Sequence, residues 1–344
     1  MISVIMANYN TEEDYLRTAI ESVLNQTYKD IEIIIVDDCS TDKSVEIIES
    51  YEIATSNITL IKNKENQGLA SSLNTAIKRA KGEFIARMDT DDVSHLRRFE
   101  KQLEFFKKNK EIDVLGTYTK KIGESNLFVY SLYNDTNHMS IPLFFGNTIC
   151  HPTVMFRRDF FLKHSLFYNE EFTTAQDYEL WSRVLQVGKI GILPEALLLY
   201  RIHNNQISTQ KKLQQETNSK KIYSRFLLEL GISEEEMDLD MHYAFCTGIN
   251  INKFKLEGLI NWAGLLVESN KLSKIYDPRL FENFINYTMF KNALKLTRKT
   301  KKISLLKMKM MIKPDNFLKS YKYTIGLLDL KIKFNRSEFY TKEN

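Results

Sequence analysis

The sequence predicts an α/β fold with a mostly parallel central sheet, followed by a C-terminal helical region. Three observations carry that expectation. Short apolar runs rich in β-branched residues recur at 2–7, 31–36, 58–61, 84–88 and 114–117, as buried strands do. Segments with a helical apolar period separate them. Beyond about residue 208 the signals turn helical. Strand and helix in alternation build βαβ units, which put ligands at the carboxyl ends of parallel strands.

The elements follow in order. After the first strand, Tyr15, Leu16, Ala19, Ile20, Val23 and Leu24 share one helical face, with Thr11 and Asp14 as an approximate capping box. A second helix carries Val45, Ile47 and Ile48 behind the turn residues D-D-C-S-T-D. A third presents Leu69, Ala70, Leu73, Ala76, Ile77 and Ala80, with Gly82 as its stop. The fourth runs from Leu96 through Phe99, Leu103 and Phe106.

Residues 120–205 are less regular, with a helix around 177–187 and strand-like I-G-I-L and A-L-L-L-Y. A helix over 213–230 then ends at Gly231, Ser233 and Glu236 suggest another capping box, Asp277-Pro278 starts a helix, and Pro314 stops a Lys/Met-rich segment. The expected organisation is an α/β domain over 1–208 and a helical, basic region over 209–344.

Composition narrows the function classes. With 43% hydrophobic residues in 344, the chain buries a substantial core and does not read as disordered. Charge is uneven. Residues 291–344 hold 15 Lys and Arg against 4 Asp and Glu, while 1–290 hold 33 against 40. A basic end of net +11 fits an anionic membrane surface or a solvated helical face, and no nucleic-acid motif accompanies it. Cys39, Cys150 and Cys246 are far apart and odd in number, which fits a reducing compartment and neither a disulfide framework nor a zinc site. The chain opens as a strand without a leader-like pattern, and no run of about 18 apolar residues occurs. The expected place is the cytoplasm, or the periphery of the inner membrane face.

The chemistry-bearing residues cluster where strands end. Asp37 and Asp38 follow the second strand, and Asp89, Asp91 and Asp92 follow F-I-A-R-M. Acids two apart in an extended segment point the same way. Such hard oxygen donors suit Mg²⁺ or Mn²⁺ bridging to phosphate oxygens. Alone, D-T-D-D also fits an acidic surface turn. D-T-D-D-V further matches a phosphohydrolase nucleophile pattern with Asp89 as nucleophile and Asp91 as acid, although that motif normally sits on a first strand.

The order of blocks is more specific. N-Y-N, V-D-D-C-S-T-D, N-K-E-N-Q-G-L-A-S-S-L-N-T-A-I, G-E-F-I-A-R-M-D-T-D-D, G-N-T-I-C-H-P-T-V-M-F-R-R, F-T-T-A-Q-D-Y-E-L-W and L-Y-R-I-H-N-N-Q-I-S follow one another through about residue 208. Together they resemble the family 2 inverting glycosyltransferases with the GT-A fold. The resemblance implies a UDP-sugar donor, Mn²⁺ or Mg²⁺, and transfer of a hexose or N-acetylhexosamine (Gal, GalNAc or GlcNAc) to a hydroxyl of a glycan acceptor, lipid-linked, in building bacterial surface polysaccharide or lipooligosaccharide. A catalytically inactive transferase-like scaffold and a homo-oligomer stay open.

Residue by residue, the resemblance places Ala7, Asn8, Tyr9, Asp37, Asp38, Asn66, Gly68, Arg87, Asp89 and Thr90 around the nucleotide. Asp38 is the favoured acceptor for a uracil N–H, Asp37 doubles as a helix cap, and Asn66 doubles as a turn residue. Asp89, Asp91 and His203 are the metal candidates. Asp177 in Q-D-Y-E-L-W matches the family's general base, with a helix N-cap as the alternative. Many relatives have Glu-Asp where this chain has Gln176-Asp177. His151, Tyr178, Trp181 and Arg201 are candidates for acceptor or sugar contacts, against packing or ion-pairing roles. Asp92 is expected as a helix cap or a partner of the metal ligands.

Overall fold

A computed structural model describes residues 1–123, 128–129, 136–203 and 211–300. They form two compact units, one of residues 1–137 with 149–211, the other of residues 138–148 with the described residues from 212 to 300. The basic segment beyond residue 300, with Pro314, lies outside the described residues, as do residues 204–208 of the L-Y-R-I-H block.

The first unit is a nine-stranded sheet flanked by helices. Its first half is parallel. β1 (Ile2–Asn8) lies between β2 (Ile31–Asp37) and β4 (Phe84–Asp89), and β3 (Ile58–Lys62) pairs β2. The right-handed crossovers expected of such units use α1 (Glu13–Leu24), α2 (Ser44–Ala54) and α3 (Leu69–Arg79). Leu16, Ala19, Ile20 and Val23 of α1 pack with Ile2, Val4, Ile33 and Ile35 in one buried core, which is why their 3–4 spacing holds the helix to the sheet. Beyond β4 come β5 (Val93–Ser94), α4 (Arg98–Lys108), β6 (Val114–Gly123) and β7 (Phe128–Val129).

The second half mixes directions. β8 (Met155–Arg157) is wedged antiparallel between β4 and β6. It leads into α6 (Arg158–Lys163), then α7 (Gln176–Val187) and β9 (Ile190–Ile202). β9 runs parallel to β6 and antiparallel to β5. The two strand-like runs near 190–200 are thus one strand. Pro194 lies at its middle, where the β6–β9 register shifts between Thr117 and Thr119, an irregularity that accommodates the missing N–H.

Three local expectations are corrected. Thr11 does not cap α1; its hydroxyl pairs with the Thr90 hydroxyl at 2.8 Å, and Glu12 is the N-cap. Gly82 is not the stop of α3, which ends at Arg79. A Cβ at Gly82 would stand 2.6 Å from the Ser3 amide nitrogen and 2.9 Å from the Met1 carbonyl oxygen, so this glycine lets the chain graze the start of β1. Ser233 and Glu236 do bond each other at 2.8 Å but close a turn; the next helix starts at Leu239 with Asp238 accepting from the Met241 amide.

The second unit is helical, built of α5 (Ser140–Phe145), α8 (Lys212–Glu229), α9 (Leu239–Thr247), α10 (Leu256–Ser273) and α11 (Pro278–Thr300). Phe144 is its hub, edge-on to His242, Tyr276 and Phe281 at centroid distances of 5.2–5.5 Å. Asp277 caps α11 by accepting from the Leu280 amide, as the Asp-Pro pair predicts. No helix among the described residues is long and apolar enough to cross a membrane.

Candidate active site

Strand register brings the acidic loops to one edge. Ala7 stands opposite both Val36 and Asp89, and Asn8 opposite Asp37. The carboxyl ends of β1, β2 and β4 therefore open on a common crevice, where a doubly wound sheet binds ligands.

On one side lies a shelf of internally bonded polar groups. Buried Asn8 donates through Nδ2 to Asp37 Oδ1 at 2.7 Å and to Ser40 Oγ at 3.1 Å. Asp37 also accepts from the Ser40 amide and hydroxyl, so it ties the loop after β2 to its own strand end. It caps no helix, since α2 starts at Ser44 behind Lys43.

Asp38 holds the next loop. Its Oδ1 accepts from Asn63 Nδ2 at 2.7 Å and the Gln67 amide at 2.9 Å, and its Oδ2 from the Gly68 amide at 2.8 Å. A carboxylate offers about four acceptor positions, which leaves one on Oδ2. Asn66 orients the same loop by donating to the Asp38 carbonyl at 3.2 Å. Gly68 has φ +87°, and a Cβ there would meet nothing within 4 Å, so its backbone angle and not crowding demands glycine. Cys39 and Asn10 also sit at positive φ, 65° and 49°, in these loops, a local strain typical of functional edges. Ala7 is half-buried at this rim, and Tyr9 projects from it with 53% of its surface exposed.

The acidic strand end forms the floor. Arg87, buried, forks onto Asp89, with Nη1 2.6 Å from Oδ2 and Nη2 paired with Oδ1. Carboxylate oxygens of Asp89, Asp91 and Asp92 all lie within 4.8 Å of one another. Burial, the largest effect, pushes Asp89 up to about 6, against the pull of Arg87; the charges of Asp91 and Asp177 raise it further. Burial, then the charges of Asp91 and Asp89, hold Asp92 well above the usual carboxylate range. Asp92 is no helix cap. Its Oδ1 accepts from the Arg201 amide at 2.8 Å, and its buried Oδ2 has no partner among the described residues.

Pairing of β5 with β9 delivers the other groups. His203 Nε2 lies 2.8 Å from Asp91 Oδ2. Arg201 donates from Nε to the Asp91 carbonyl at 2.8 Å, and its guanidinium covers the Tyr15 ring at 4.0 Å. The Thr90 hydroxyl pairs with that of Thr11 at 2.8 Å.

Asp177 enters from α7. The N-cap is Ala175, in a left-handed conformation with φ 57° and no side-chain cap, so Asp177 occupies the first helical turn instead. There the helix dipole favours its charge. Its charge is felt at Asp89, so acids far apart in sequence share one electrostatic environment.

Three sequence expectations are corrected by burial. Trp181 is fully buried and Tyr178 is 2% exposed, so neither offers a ring face to a sugar. His151 is also buried, its Nε2 2.6 Å from the Tyr168 hydroxyl. Burial, then the charge of Arg87, lowers its pKa well below the usual histidine value, so it stays neutral. Two neighbours escaped the sequence. Tyr168 has no motif around it. Arg98, a charged residue in α4, is fully buried, donating to the Arg87 carbonyl at 2.8 Å and to Gln102 at 3.1 Å. Burial, helped by Arg87, lowers it to about 9, which still leaves it charged at neutral pH.

Comparison with known proteins agrees with this architecture. Residues 3–165 match the family model for glycosyl transferase family 2. An uncharacterized glycosyltransferase of Haemophilus influenzae is 33% identical over 246 residues, 67% of this chain and 76% of the relative. The O-antigen biosynthesis glycosyltransferase WbnJ of Escherichia coli is 39% identical over 217 residues, 61% of this chain and 82% of the relative. Among solved structures, S. aureus TarS 1-349 in complex with UDP-GlcNAc superimposes with a TM-score of 0.60 at 19% identity, over 86% of this chain and 89% of that one. An α/β sheet of this order, shared with GT-A enzymes, and a relative of this identity over this span have one reading: the chain belongs to glycosyl transferase family 2.

Proposed function

We propose that the chain transfers a hexose or N-acetylhexosamine, with Gal, GalNAc or GlcNAc favoured, from a UDP-sugar to a hydroxyl of a lipid-linked glycan, with inversion to a β-linkage. The juxtaposition of the Asp89–Asp91–Asp92 cluster with Asp177 across one crevice carries this reading. The UDP-GlcNAc bound to TarS supports the donor class. The O-antigen role in the name of WbnJ supports surface polysaccharide as the product.

The donor set fits a small divalent cation. Three carboxylates with oxygens within 4.8 Å approach the spread of about 4 Å around one ion with ligands near ~2.1 Å. Asp92 Oδ2 is in addition a buried oxygen with no partner among the described residues. Asp89 and Asp91 would hold Mn²⁺ or Mg²⁺, with His203 beside Asp91. The ion would supply positive charge to the departing diphosphate.

The chain's own groups do the rest. Asn8, Asp37 and Asp38 fix the two loops that border the nucleoside, and Tyr9 is exposed at their rim. Asp38 keeps one acceptor position for a ring N–H. Arg87 fixes the orientation of Asp89. Asp177 takes the proton of the acceptor hydroxyl as it attacks the anomeric carbon opposite to UDP, because a neutral hydroxyl is a poor nucleophile.

A UDP-release screen across UDP-Gal, UDP-GalNAc, UDP-Glc and UDP-GlcNAc with Mn²⁺ tests this. Asp91→Asn should weaken donor binding, whereas Asp177→Asn should spare binding and lower turnover by at least about 100-fold. Near-normal turnover in Asp177→Asn would remove the base assignment. Hydrolysis of phosphomonoesters with no UDP release would remove the transferase reading.

A further inference from the structure

One buried polar pair beside the crevice has no task in this reaction. His151 and Tyr168 share the 2.6 Å hydrogen bond between Nε2 and the phenolic oxygen, with ring centroids 5.4 Å apart. Both are buried. An apolar pair of the same volume would fill the space without the cost of desolvating two polar groups. Packing alone therefore does not account for them.

Both partners are anchored. Asn74 on α3 clamps the Tyr168 backbone, donating from Nδ2 to its carbonyl at 2.9 Å and accepting at Oδ1 from its amide at 2.8 Å. The His151 ring stands edge-on to Trp181, with centroids 6.1 Å apart and planes at 75°. Trp181 follows Asp177 by four residues on α7, so both lie on one helix face. The pair thus abuts, through Trp181, the helix face that carries Asp177 one turn away. The Tyr168 hydroxyl also feels Arg87, Asp177 and Asp89, so it lies in the field of both halves of the site.

We propose that the Tyr168–His151 pair is a positioning element for Asp177, fixing the start of α7 so that this carboxylate faces the acceptor hydroxyl and stays apart from Asp89. The hydrogen bond sets the angle of the His151 ring, the ring edge supports Trp181, and Trp181 sets the roll of α7. This rests on the reading of Asp177 as general base.

The test uses the full chain, Mn²⁺, and whichever of the four UDP-sugars gives the fastest wild-type UDP release. Tyr168→Phe and His151→Gln each remove the bond. Each should lower kcat about ten- to a hundred-fold with the donor KM and UDP affinity unchanged. The double variant should fall no further than either single one, because both break the same link. A merely structural role would lower thermal stability and leave kcat per folded molecule alone. Should Tyr168→Phe fail to fold, His151→Gln carries the comparison. Tyr168→Phe within two-fold of wild type, with Asp177→Asn inactive, overturns the positioning role and leaves the base assignment standing. Asp177→Asn at wild-type rate, or a wild type that releases no UDP from any donor, overturns both.

Discussion

Asp38 separates scaffolding from ligand contact, and its substitution by Asn has a magnitude that follows from its bonds. The wild-type carboxylate accepts three hydrogen bonds, two on Oδ1 and one on Oδ2. Asn at this position keeps the shape but offers one oxygen and one NH₂. With the oxygen toward Asn63 and Gln67, the NH₂ faces the Gly68 amide, donor against donor. One charge-assisted bond worth about 1.5–3 kcal/mol is lost, and a buried donor is left unpaired at about 1–3 kcal/mol. Relaxation of the loop recovers part of this, so the expected loss is about 2–4 kcal/mol. In urea, with a slope of about 3 kcal/mol/M, the midpoint of the first unit should fall by about 1 M. Trp181, buried in that unit, reports it by fluorescence. Asn66→Ala, which removes one 3.2 Å bond to the Asp38 carbonyl, should cost about 1 kcal/mol or less. A midpoint within 0.2 M of wild type for Asp38→Asn (roughly 0.6 kcal/mol at that slope), with UDP binding lost, would refute the scaffolding role and make Asp38 a pure ligand contact.

Two further outcomes are open to direct measurement. Gly82→Ala sets a methyl against backbone atoms of residues 1–3 that no rotamer change relieves, so it should cost at least about 3 kcal/mol or abolish soluble expression, and wild-type melting would contradict the close approach. His242 in the helical unit is pushed down to about 3 by burial among Phe144, Tyr223 and Trp262. A depressed histidine keeps its stabilising share above the unfolded value of 6.5 and loses it as pH falls, by about 2 kcal/mol at pH 5. Thermal melts at pH 7.5 and 5 should show this loss in wild type and lack it in His242→Phe.

The sheet and the acids were legible because both follow from local chemistry. Nearly continuous apolar runs such as I-E-I-I-I-V, rich in β-branched residues, read as central strands, and Asp37, Asp38 and Asp89 stand where such strands end. The antiparallel pieces were not legible. β5 is two residues long and β8 three, too short to carry a period, and their pairing is set by partners far along the chain. Yet β5, by pairing with β9, brings Arg201 and His203 to the acidic strand end. Trp181 and Tyr178 were misassigned for a related reason. The 3.6 period says that a residue shares a helix face, but not whether that face meets substrate or core. Arg98 shows the converse, a charged residue whose burial is matched by donation to the Arg87 carbonyl, Gln102 and Met88 Sδ.

The charge arrangement itself argues for a cationic ligand at the acidic strand end. Three arginines lie close by, yet they are spent unevenly. Arg87 forks onto Asp89, while Arg98 turns to the Arg87 carbonyl and Gln102. Arg201 sends Nε to the Asp91 carbonyl and its ring-covering face to Tyr15. The carboxylates of Asp91 and Asp92 are left, among the described residues, with one hydrogen bond each, from His203 and from the Arg201 amide. Even the forked Asp89 is held up at about 6, because burial and neighbouring acids outweigh its arginine. An acidic surface turn would relax into water and would not bury Asp92 completely. A structural salt-bridge network would aim its guanidinium groups at the carboxylates. Crowding acids on a strand end while sending Arg98 and the Arg201 Nε to carbonyl oxygens raises the free energy of the ligand-free site. A divalent cation would lower it, and a diphosphate would bind the cation-filled site more tightly than the bare acids, so metal affinity and donor affinity would be tied together.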